Sequence, residues 1–243
     1  MIINCVHGGW HKVKDLLSEI ESYWTTRAEG YSEVNHKELN GMQKGAWLEV
    51  LKGQFPEKAK DEIKILDIGT GPGFFPVILA EAGYKVTAVD YTQEMLDTAK
   101  RNAGNLCERI SFYKMDAQNL EFEDDVFDVV ISRNLTWNLK DPKRAYEEWC
   151  RVLKPGGHLV ILELTTPDRF PMKQLFSIYS KAVIPLLGKL LSKDNSAYRY
   201  LPDTIKVFPQ GEIMKGVISR AGFSEVNFRR LTFGICTLYT ATK

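Results

Sequence analysis

The amino-acid sequence predicts an α/β protein with a mostly parallel sheet and helices on both faces. Between residues 63 and 164, short β-branched runs alternate with segments whose apolar residues recur at helical spacing. Parallel strands joined by helices make right-handed crossovers, which place helices on both sides of a sheet. The chain has 243 residues and 44% of them are apolar, so it can bury a core of this size.

Turn and cap residues punctuate these elements. We predict strands at 63–68, 85–89, 110–113, 127–132 and 158–164. A helix over 74–82 ends at Gly83, and Thr92 is a predicted N-cap for the helix that follows the second strand. Asp141 can cap the next helix with Pro142 in its first position, and the Lys-Pro-Gly-Gly run at 154–157 ends it.

The segments around this core have a different character. Residues 1–60 are predicted to form a helical N-terminal cap, and residues 61–164 the cofactor-binding core. Residues 165–210 are a proline-rich stretch that we predict to be a helical insertion covering the substrate. Residues 211–243 supply a last helix and two strand-like runs, 226–231 and 235–241, expected as an antiparallel pair at one sheet edge.

Composition excludes several classes of protein. Thirty-two basic against 31 acidic side chains argue against a nucleic-acid partner. Four cysteines without a Cys-x-x-Cys pair predict neither a metal site nor a disulfide framework, which fits a reducing cytoplasm. No signal peptide and no apolar run of membrane-spanning length is visible, so we expect a cytoplasmic protein that at most contacts a membrane surface.

A glycine-rich loop follows the first predicted strand. Gly69, Gly71 and Gly73 let the backbone approach a ligand closely, and the next helix begins with unpaired N–H groups. Such a loop alone also fits an ordinary tight turn. Asp90 ends the second strand, 21 residues beyond Gly69, where an acid can accept both ribose hydroxyls. Asp116 follows the third strand, so the carboxylates would gather where open sheets bind ligands.

The loop differs from that of dinucleotide-binding proteins. Phe74 occupies the sixth position from Gly69, where a pyrophosphate loop carries glycine or alanine, and no P-loop lysine follows. Asp67 stands two residues before the first glycine, which suits a ligand with an amino group and a sulfonium. S-adenosylmethionine is therefore the predicted cofactor.

These motifs resemble the successive motifs of class I S-adenosylmethionine-dependent methyltransferases across residues 60–165. The resemblance implies a Rossmann-like, seven-stranded sheet in which the glycine loop cradles the methionine part, the strand-two acid binds ribose, and the Asp116-Ala117 pair meets adenine. A tyrosine of the N-terminal helical element closes over the cofactor in many such enzymes. The predicted cofactor-binding residues are Tyr31, Asp67, Gly69, Thr70, Gly71, Gly73, Asp90, Tyr91, Asp116, Ala117, Arg133 and Asn134.

The C-terminal third resembles the ubiquinone/menaquinone-biosynthesis C-methyltransferases. The likeness rests on the segments 162–167, 179–193 and 198–205, on Phe208-Pro209 and on residues 221–223. It implies methyl transfer to a ring carbon of a polyprenyl hydroquinone. Where that family has Gly-Leu-Arg-Asn-Val after strand four, Asn138 matches the asparagine, but Trp137 replaces the arginine.

A carbon acceptor needs a phenolic proton removed or a phenolate stabilised. The candidates for this role are Asn138, Tyr200 and His36. Tyr31, Trp137 and Tyr200 are candidate aromatic walls near the sulfonium. Residues 169–193 carry five basic side chains and no acidic one among many apolar residues, which predicts peripheral membrane contact or a cover for an isoprenoid tail.

Other functions remain alternatives at this point. The acceptor could be a small phenol, an amine or a metalloid instead of a quinol. A nicotinamide-linked oxidoreductase is disfavoured by Phe74 and by the absence of a Tyr-x-x-x-Lys pair. A third alternative is a module that binds the cofactor without catalysing a reaction.

Overall fold

The sheet confirms the predicted α/β architecture. A computed structural model describes residues 16–179 and 209–243, and within them seven strands form one sheet in the order β3-β2-β1-β4-β5-β7-β6. The strands are β1 (Lys64–Ile68), β2 (Lys85–Asp90), β3 (Ile110–Lys114), β4 (Phe127–Arg133), β5 (Leu153–Leu164), β6 (Ser224–Leu231) and β7 (Cys236–Thr242). Strands β1 to β5 pair in parallel, whereas β7 is antiparallel to both β5 and β6. The strand order reverses at β1, between β2 and β4, where such sheets open a ligand crevice.

Helices cover both faces of this sheet. They are α1 (Leu16–Leu39), α2 (Gln43–Lys52), α3 (Phe74–Glu81), α4 (Gln93–Ala103), α5 (Pro142–Val152), α6 (Met172–Ile178) and α7 (Glu212–Arg220). On one face, Trp149 of α5 and Ile218 of α7 pack in a core cluster with strand residues. On the other face, α2 and α3 pack against β1 and β4 through Leu51 and Ile78. No helix in the two described ranges is long and apolar enough to span a bilayer.

Helix starts follow the predicted caps in one case and not in the other. Asp141 caps α5 as predicted, because its carboxylate accepts the Arg144 N–H at 3.1 Å with Pro142 in the first turn. Thr92 occupies the N-cap position of α4, but its side chain makes no capping bond. The backbone N–H of Thr92 instead donates to the Asp90 carboxylate, at 2.9 Å.

The end of α5 also differs from the prediction. The helix stops at Val152, and Leu153 already pairs with Phe127, so β5 begins five residues before the predicted start at 158. The Pro-Gly-Gly sequence therefore lies within β5, next to a register irregularity between Phe127 and Val129. Pairing with β4 determines where β5 begins, and residues that end a helix do not reveal that pairing.

Candidate active site

A cavity of about 490 Å³ opens at the carboxyl ends of the central parallel strands, beneath α1. Its walls come from the glycine loop, from the residues after β2, β3 and β4, and from one face of α1. The lining residues are Leu17, Ile20, Trp24, Tyr31, Val34, Asn35, Glu38, Ile68, Gly69, Thr70, Gly71, Pro72, Val89, Asp90, Tyr91, Thr92, Met95, Met115, Asp116, Ala117, Gln118, Arg133, Asn134, Leu135, Asn138 and Leu139. Ten of the twelve predicted cofactor residues are in this list: Tyr31, Gly69, Thr70, Gly71, Asp90, Tyr91, Asp116, Ala117, Arg133 and Asn134.

The glycine loop is folded against the end of β2. The N–H groups of Gly69 and Thr70 both donate to the Val89 carbonyl, at 2.9 and 3.0 Å. Gly71 has φ +52°, and a Cβ there would meet nothing within 4 Å, so its backbone faces open space. Gly73 does not line the cavity, and a Cβ there would lie 3.0 Å from Ala99 of α4. Its lack of a side chain therefore serves helix packing.

Asp90 ties this loop to the start of α4. One carboxylate oxygen accepts the Gly71 N–H at 2.8 Å, and the other accepts the Thr92 N–H at 2.9 Å. Burial raises the pKa of the Asp90 carboxyl, while these two backbone donors and the Thr92 hydroxyl lower it. Each oxygen keeps acceptor capacity toward the cavity, as the predicted role toward ribose hydroxyls requires.

Asp67 does not line the cavity. It is only 3% exposed, beneath the glycine loop. Burial raises the pKa of Asp67 to about 7, with the Thr70 hydroxyl opposing this and the negative charge of Asp90 adding to it. The structure thus places Asp67 behind the loop, where its carboxyl lies near Thr70 and near the charge of Asp90.

Asp116 and Ala117 line the cavity on the side of β3, which is separated from β4 by β2 and β1. Asp116 accepts the backbone N–H and the side-chain Nε2 of Gln118, each at 2.9 Å. The other end of the Gln118 amide accepts the N–H of Asp141, the cap of α5. Gln118 is a cavity residue that the sequence did not single out, although it directly follows the Asp-Ala pair.

The end of β4 brings a charged pair to the cavity wall. Arg133 makes two hydrogen bonds to the Glu38 carboxylate of α1, at 3.0 and 2.7 Å, and both side chains are 23% exposed. The guanidinium also lies over the ring of Phe74, 4.9 Å from its centroid. Asn134 follows in a left-handed conformation with φ +55°. Glu38 was not predicted from the sequence.

The loop after β4 is held from below by Glu163 of β5. One Glu163 oxygen accepts the N–H groups of Leu135 and Thr136 and the Thr136 hydroxyl, at 3.0, 2.7 and 2.7 Å. Glu163 is fully buried, and burial raises its pKa to about 7. This anchor fixes the loop whose Leu135, Asn138 and Leu139 line the cavity.

The predicted catalytic residues have different positions. Asn138 lines the cavity, in a short 3-10 helix after β4. His36 is exposed to solvent on α1 and does not line the cavity, because it falls on the outward face of that helix. Tyr200 lies outside the described residues. Of the predicted aromatic walls, Tyr31 lines the cavity, whereas Trp137 packs edge-on against Trp24, a cavity residue the sequence did not single out.

The donors and space of the cavity fit S-adenosylmethionine. The backbone of the glycine loop faces open space at Gly71. The carboxylates of Asp90 and Asp116 line the same cavity at the strand ends. Asn35 of α1 lines the same cavity, is 4% exposed, and has no partner for its side-chain oxygen within the described residues. A buried acceptor without a donor is expected where a ligand supplies that donor.

The chain is similar to known proteins over most of its length. Residues 28–243 match the ubiE/COQ5 methyltransferase family, so the similarity extends well beyond the C-terminal third expected from the sequence motifs. The demethylmenaquinone methyltransferase of Bacteroides fragilis is 48% identical over 229 residues, covering 93% of this chain and 92% of that protein.

Two solved structures share the fold. A SAM dependent methyltransferase from Aquifex aeolicus has a TM-score of 0.60 at 19% identity, covering 90% of this chain and 97% of that one. Phosphoethanolamine N-methyltransferase 2 of Haemonchus contortus, solved in complex with S-adenosyl-L-methionine, has a TM-score of 0.66 at 18% identity, covering 95% of this chain and 60% of that one. The chain therefore belongs to the ubiE/COQ5 methyltransferase family and is an S-adenosylmethionine-dependent methyltransferase.

Proposed function

We propose that the protein transfers a methyl group from S-adenosylmethionine to a ring carbon of a quinol with a polyprenyl tail. The observation that carries this proposal is one continuous cavity with a polar cofactor end and an apolar wall from α1 and the loop after β4. The apolar wall includes Leu17, Ile20, Trp24 and Leu139. The name of the Bacteroides fragilis relative and the family description support the same acceptor class.

The proposed chemistry depends on charge and position. The bound cofactor supplies an electrophilic methyl group on a positively charged sulfur. A phenolate acceptor would neutralise that charge during transfer, so a site that excludes water favours the reaction. Tyr31 and Trp24 would contribute to excluding water, and their ring faces attract a cation by roughly 0.5–2 kcal/mol each.

Asn138 is the proposed catalytic residue for the acceptor. Its backbone N–H donates to Leu135 O at 2.9 Å, which fixes the short helix that directs the residue to the cavity. We assign its side-chain amide to donating a hydrogen bond to the acceptor oxygen in its phenolate form. His36 drops out of this role because it does not reach the cavity, and a part for Tyr200 stays a prediction from the sequence.

We further propose that the region around 169–193 contacts a lipid surface. Phe170 is 82% exposed, and Leu175 and Ile178 of α6 are also exposed. Arg169 and Lys173 lie in the same stretch, which has no acidic residue through position 193. Exposed apolar side chains next to basic ones suit an anionic membrane from which a long-tailed quinol would be taken.

The experiment that tests the acceptor is methyl transfer with labelled cofactor. Reduced polyprenyl quinols lacking the ring methyl are compared with a panel of small phenols and amines, and mass spectrometry locates the label. We expect label on a ring carbon of the quinol, and an Asn138→Ala variant with a kcat at least tenfold lower but unchanged cofactor affinity. Label on nitrogen, on a phenolic oxygen, or only on a small acceptor would overturn the proposal.

A further inference from the structure

Helix α1 contacts the core partly through polar side chains. Four of them bond to residues of α4, β3 and β4, and the first three, at positions 21, 25 and 32, are four and seven residues apart, which places them on one helix face. The pairs are Glu21 with Lys114 at 2.7 Å, Thr25 with Glu94 at 3.0 Å, Ser32 with Asn102 at 3.3 Å, and Glu38 with Arg133 at 2.7 Å. This face is therefore fixed in register above the strand ends.

Asn35 lies on this face between Ser32 and Glu38, and it differs from its neighbours. It is 4% exposed and lines the cavity, yet its side-chain oxygen has no hydrogen-bond partner within residues 16–179 and 209–243. A buried acceptor with no donor is unfavourable unless a ligand satisfies it. The atom therefore indicates a donor group on whatever occupies this part of the cavity.

The same end of the cavity carries opposite charges side by side. Glu38 and Arg133 both line it and are paired to one another in a fork-like geometry. The guanidinium has five N–H donors, and this pairing uses two of its nitrogens once each. A neighbouring carboxylate and guanidinium are complementary to a ligand that itself carries one positive and one negative group.

The contacts of α1 locate this cluster relative to the cofactor loop. Ser32 bonds Asn102, and the Asn102 amide donates to the Pro72 carbonyl at 2.9 Å. One turn further along α1, Asn35 therefore lies above the glycine loop, while Asp116 lies at the other end of the cavity after β3. Arg133 ends β4 and Asp116 follows β3, with β2 and β1 between them in the sheet, so the cluster lies away from the side assigned to adenine.

We propose that Asn35, Glu38 and Arg133 form a subsite for the zwitterionic amino-acid end of S-adenosylmethionine, with the Asn35 side-chain oxygen accepting from the ammonium group. The Glu38 carboxylate adds attraction for the same ammonium, and the remaining Arg133 donors face the ligand carboxylate. The subsite concerns the cofactor alone, so it does not depend on which acceptor the enzyme methylates.

Two ligands separate this subsite from the rest of the cofactor site. S-adenosylhomocysteine carries the amino-acid end, whereas 5′-methylthioadenosine keeps the adenosine and thioether and lacks that end. Titration calorimetry measures both on Asn35→Leu, which is similar in size but has no acceptor. We expect at least a tenfold loss of affinity for S-adenosylhomocysteine and less than a twofold change for 5′-methylthioadenosine.

Further variants define which group is recognised. Asn35→Asp keeps the acceptor oxygen, so its affinity for S-adenosylhomocysteine should stay within threefold of the parent. Glu38→Gln removes the charge and should weaken S-adenosylhomocysteine fivefold or more while sparing 5′-methylthioadenosine. Asn40→Leu is the control directly after α1, because Asn40 is exposed and its side-chain amide donates to the His36 carbonyl. It should change neither affinity.

Three outcomes of these ligand titrations would overturn the proposal. Equal losses for both ligands in Asn35→Leu would mean that the residue acts through the docking of α1. Unchanged affinity for both ligands would remove Asn35 from the cofactor site. A loss in Asn35→Asp as large as in Asn35→Leu would mean that Asn35 donates to the carboxylate and does not accept from the ammonium. Thermal unfolding of each variant checks that the fold is kept.

Discussion

The side chain of Leu135 occupies the space that any side chain at Gly69 would need. A Cβ on Gly69 would lie 2.8 Å from Leu135 Cδ2, and Gly69 has φ +70°, a conformation that favours glycine. The loop after β4 therefore packs directly on the cofactor loop. Since Leu135 and Asn138 belong to the same loop, the cofactor end and the acceptor end of the cavity share this boundary.

Gly69→Ala should weaken cofactor binding about tenfold or more. The new methyl group meets Leu135 and also strains the backbone, because a left-handed residue with a Cβ costs roughly 1–2 kcal/mol. Adding Leu135→Ala removes the contact but leaves the strain, so the double variant should recover only part of the affinity for S-adenosylhomocysteine. Leu135→Ala alone is the control for the lost packing. Full recovery in the double variant would show that φ at position 69 is unimportant.

Asp90→Ala should abolish cofactor binding while the fold remains intact. The substitution removes the predicted ribose acceptor and also releases the N–H groups of Gly71 and Thr92 that the carboxylate holds. Calorimetry with S-adenosylhomocysteine measures the binding, and circular dichroism checks the fold. Asp97→Ala is the matched control on α4, because Asp97 is exposed and bonds only Gln93 on the same helix. Unchanged affinity in Asp90→Ala would refute the placement of the ribose site.

The sequence alone predicted the positions of those features that depend on neighbouring residues in the chain. The glycine loop, Asp90 and the Asp116-Ala117 pair follow strands whose hydrophobic runs were visible, and parallel strands bring their carboxyl ends to one edge. The bounds of most elements agree within two residues for the same reason. The exception is β5, whose start depends on pairing with Phe127 and not on helix-stop residues.

The remaining site residues depend on tertiary packing. Asn35 and Glu38 belong to the cavity only because α1 docks across the strand ends, and sequence alone does not give that docking. Helical spacing from Tyr31 was a usable signal, since positions four and seven residues later lie on the same side of a helix. The same docking turns His36 outward. Gly73 faces Ala99 for a comparable reason, as packing between α3 and α4 sets its surroundings.

Glu163 should make the folded state less stable as the pH rises from about 4.5 to about 7. Burial raises its pKa to about 7, so in this window the folded protein keeps a proton that the unfolded chain has lost. The corresponding loss of stability is about 3 kcal/mol for the full shift. Glu163→Gln cannot ionise, and its side-chain oxygen can still accept from Leu135 and Thr136.

The measurement is chemical denaturation of the parent and Glu163→Gln at pH 5 and pH 8. The stability of the variant relative to the parent should be higher at pH 8 than at pH 5. Asp128→Asn is the control with another buried carboxyl. Burial would raise the Asp128 pKa, but Lys58, Lys154 and the Lys64 N–H lower it to about 2, so its difference from the parent should be constant over this range. A constant difference for Glu163→Gln would mean that Glu163 titrates below pH 5 in the folded protein.

Removing two exposed phenylalanines should weaken binding to anionic vesicles. Phe170 and Phe233 are each 82% exposed, and a Cβ on Gly234 would lie 3.3 Å from Pro167, so their two loops are neighbours. Burying a phenylalanine in an apolar medium is worth about 1.5–3 kcal/mol, so Phe170→Ser with Phe233→Ser should reduce partitioning at least tenfold even with partial insertion.

Replacing Lys181, Lys189 and Lys193 with glutamine should weaken binding to anionic but not to neutral vesicles. Met42→Ser is the control, since Met42 is 96% exposed between α1 and α2. Sedimentation with vesicles gives the readout, and equal partitioning of variants and parent would assign these residues to another role.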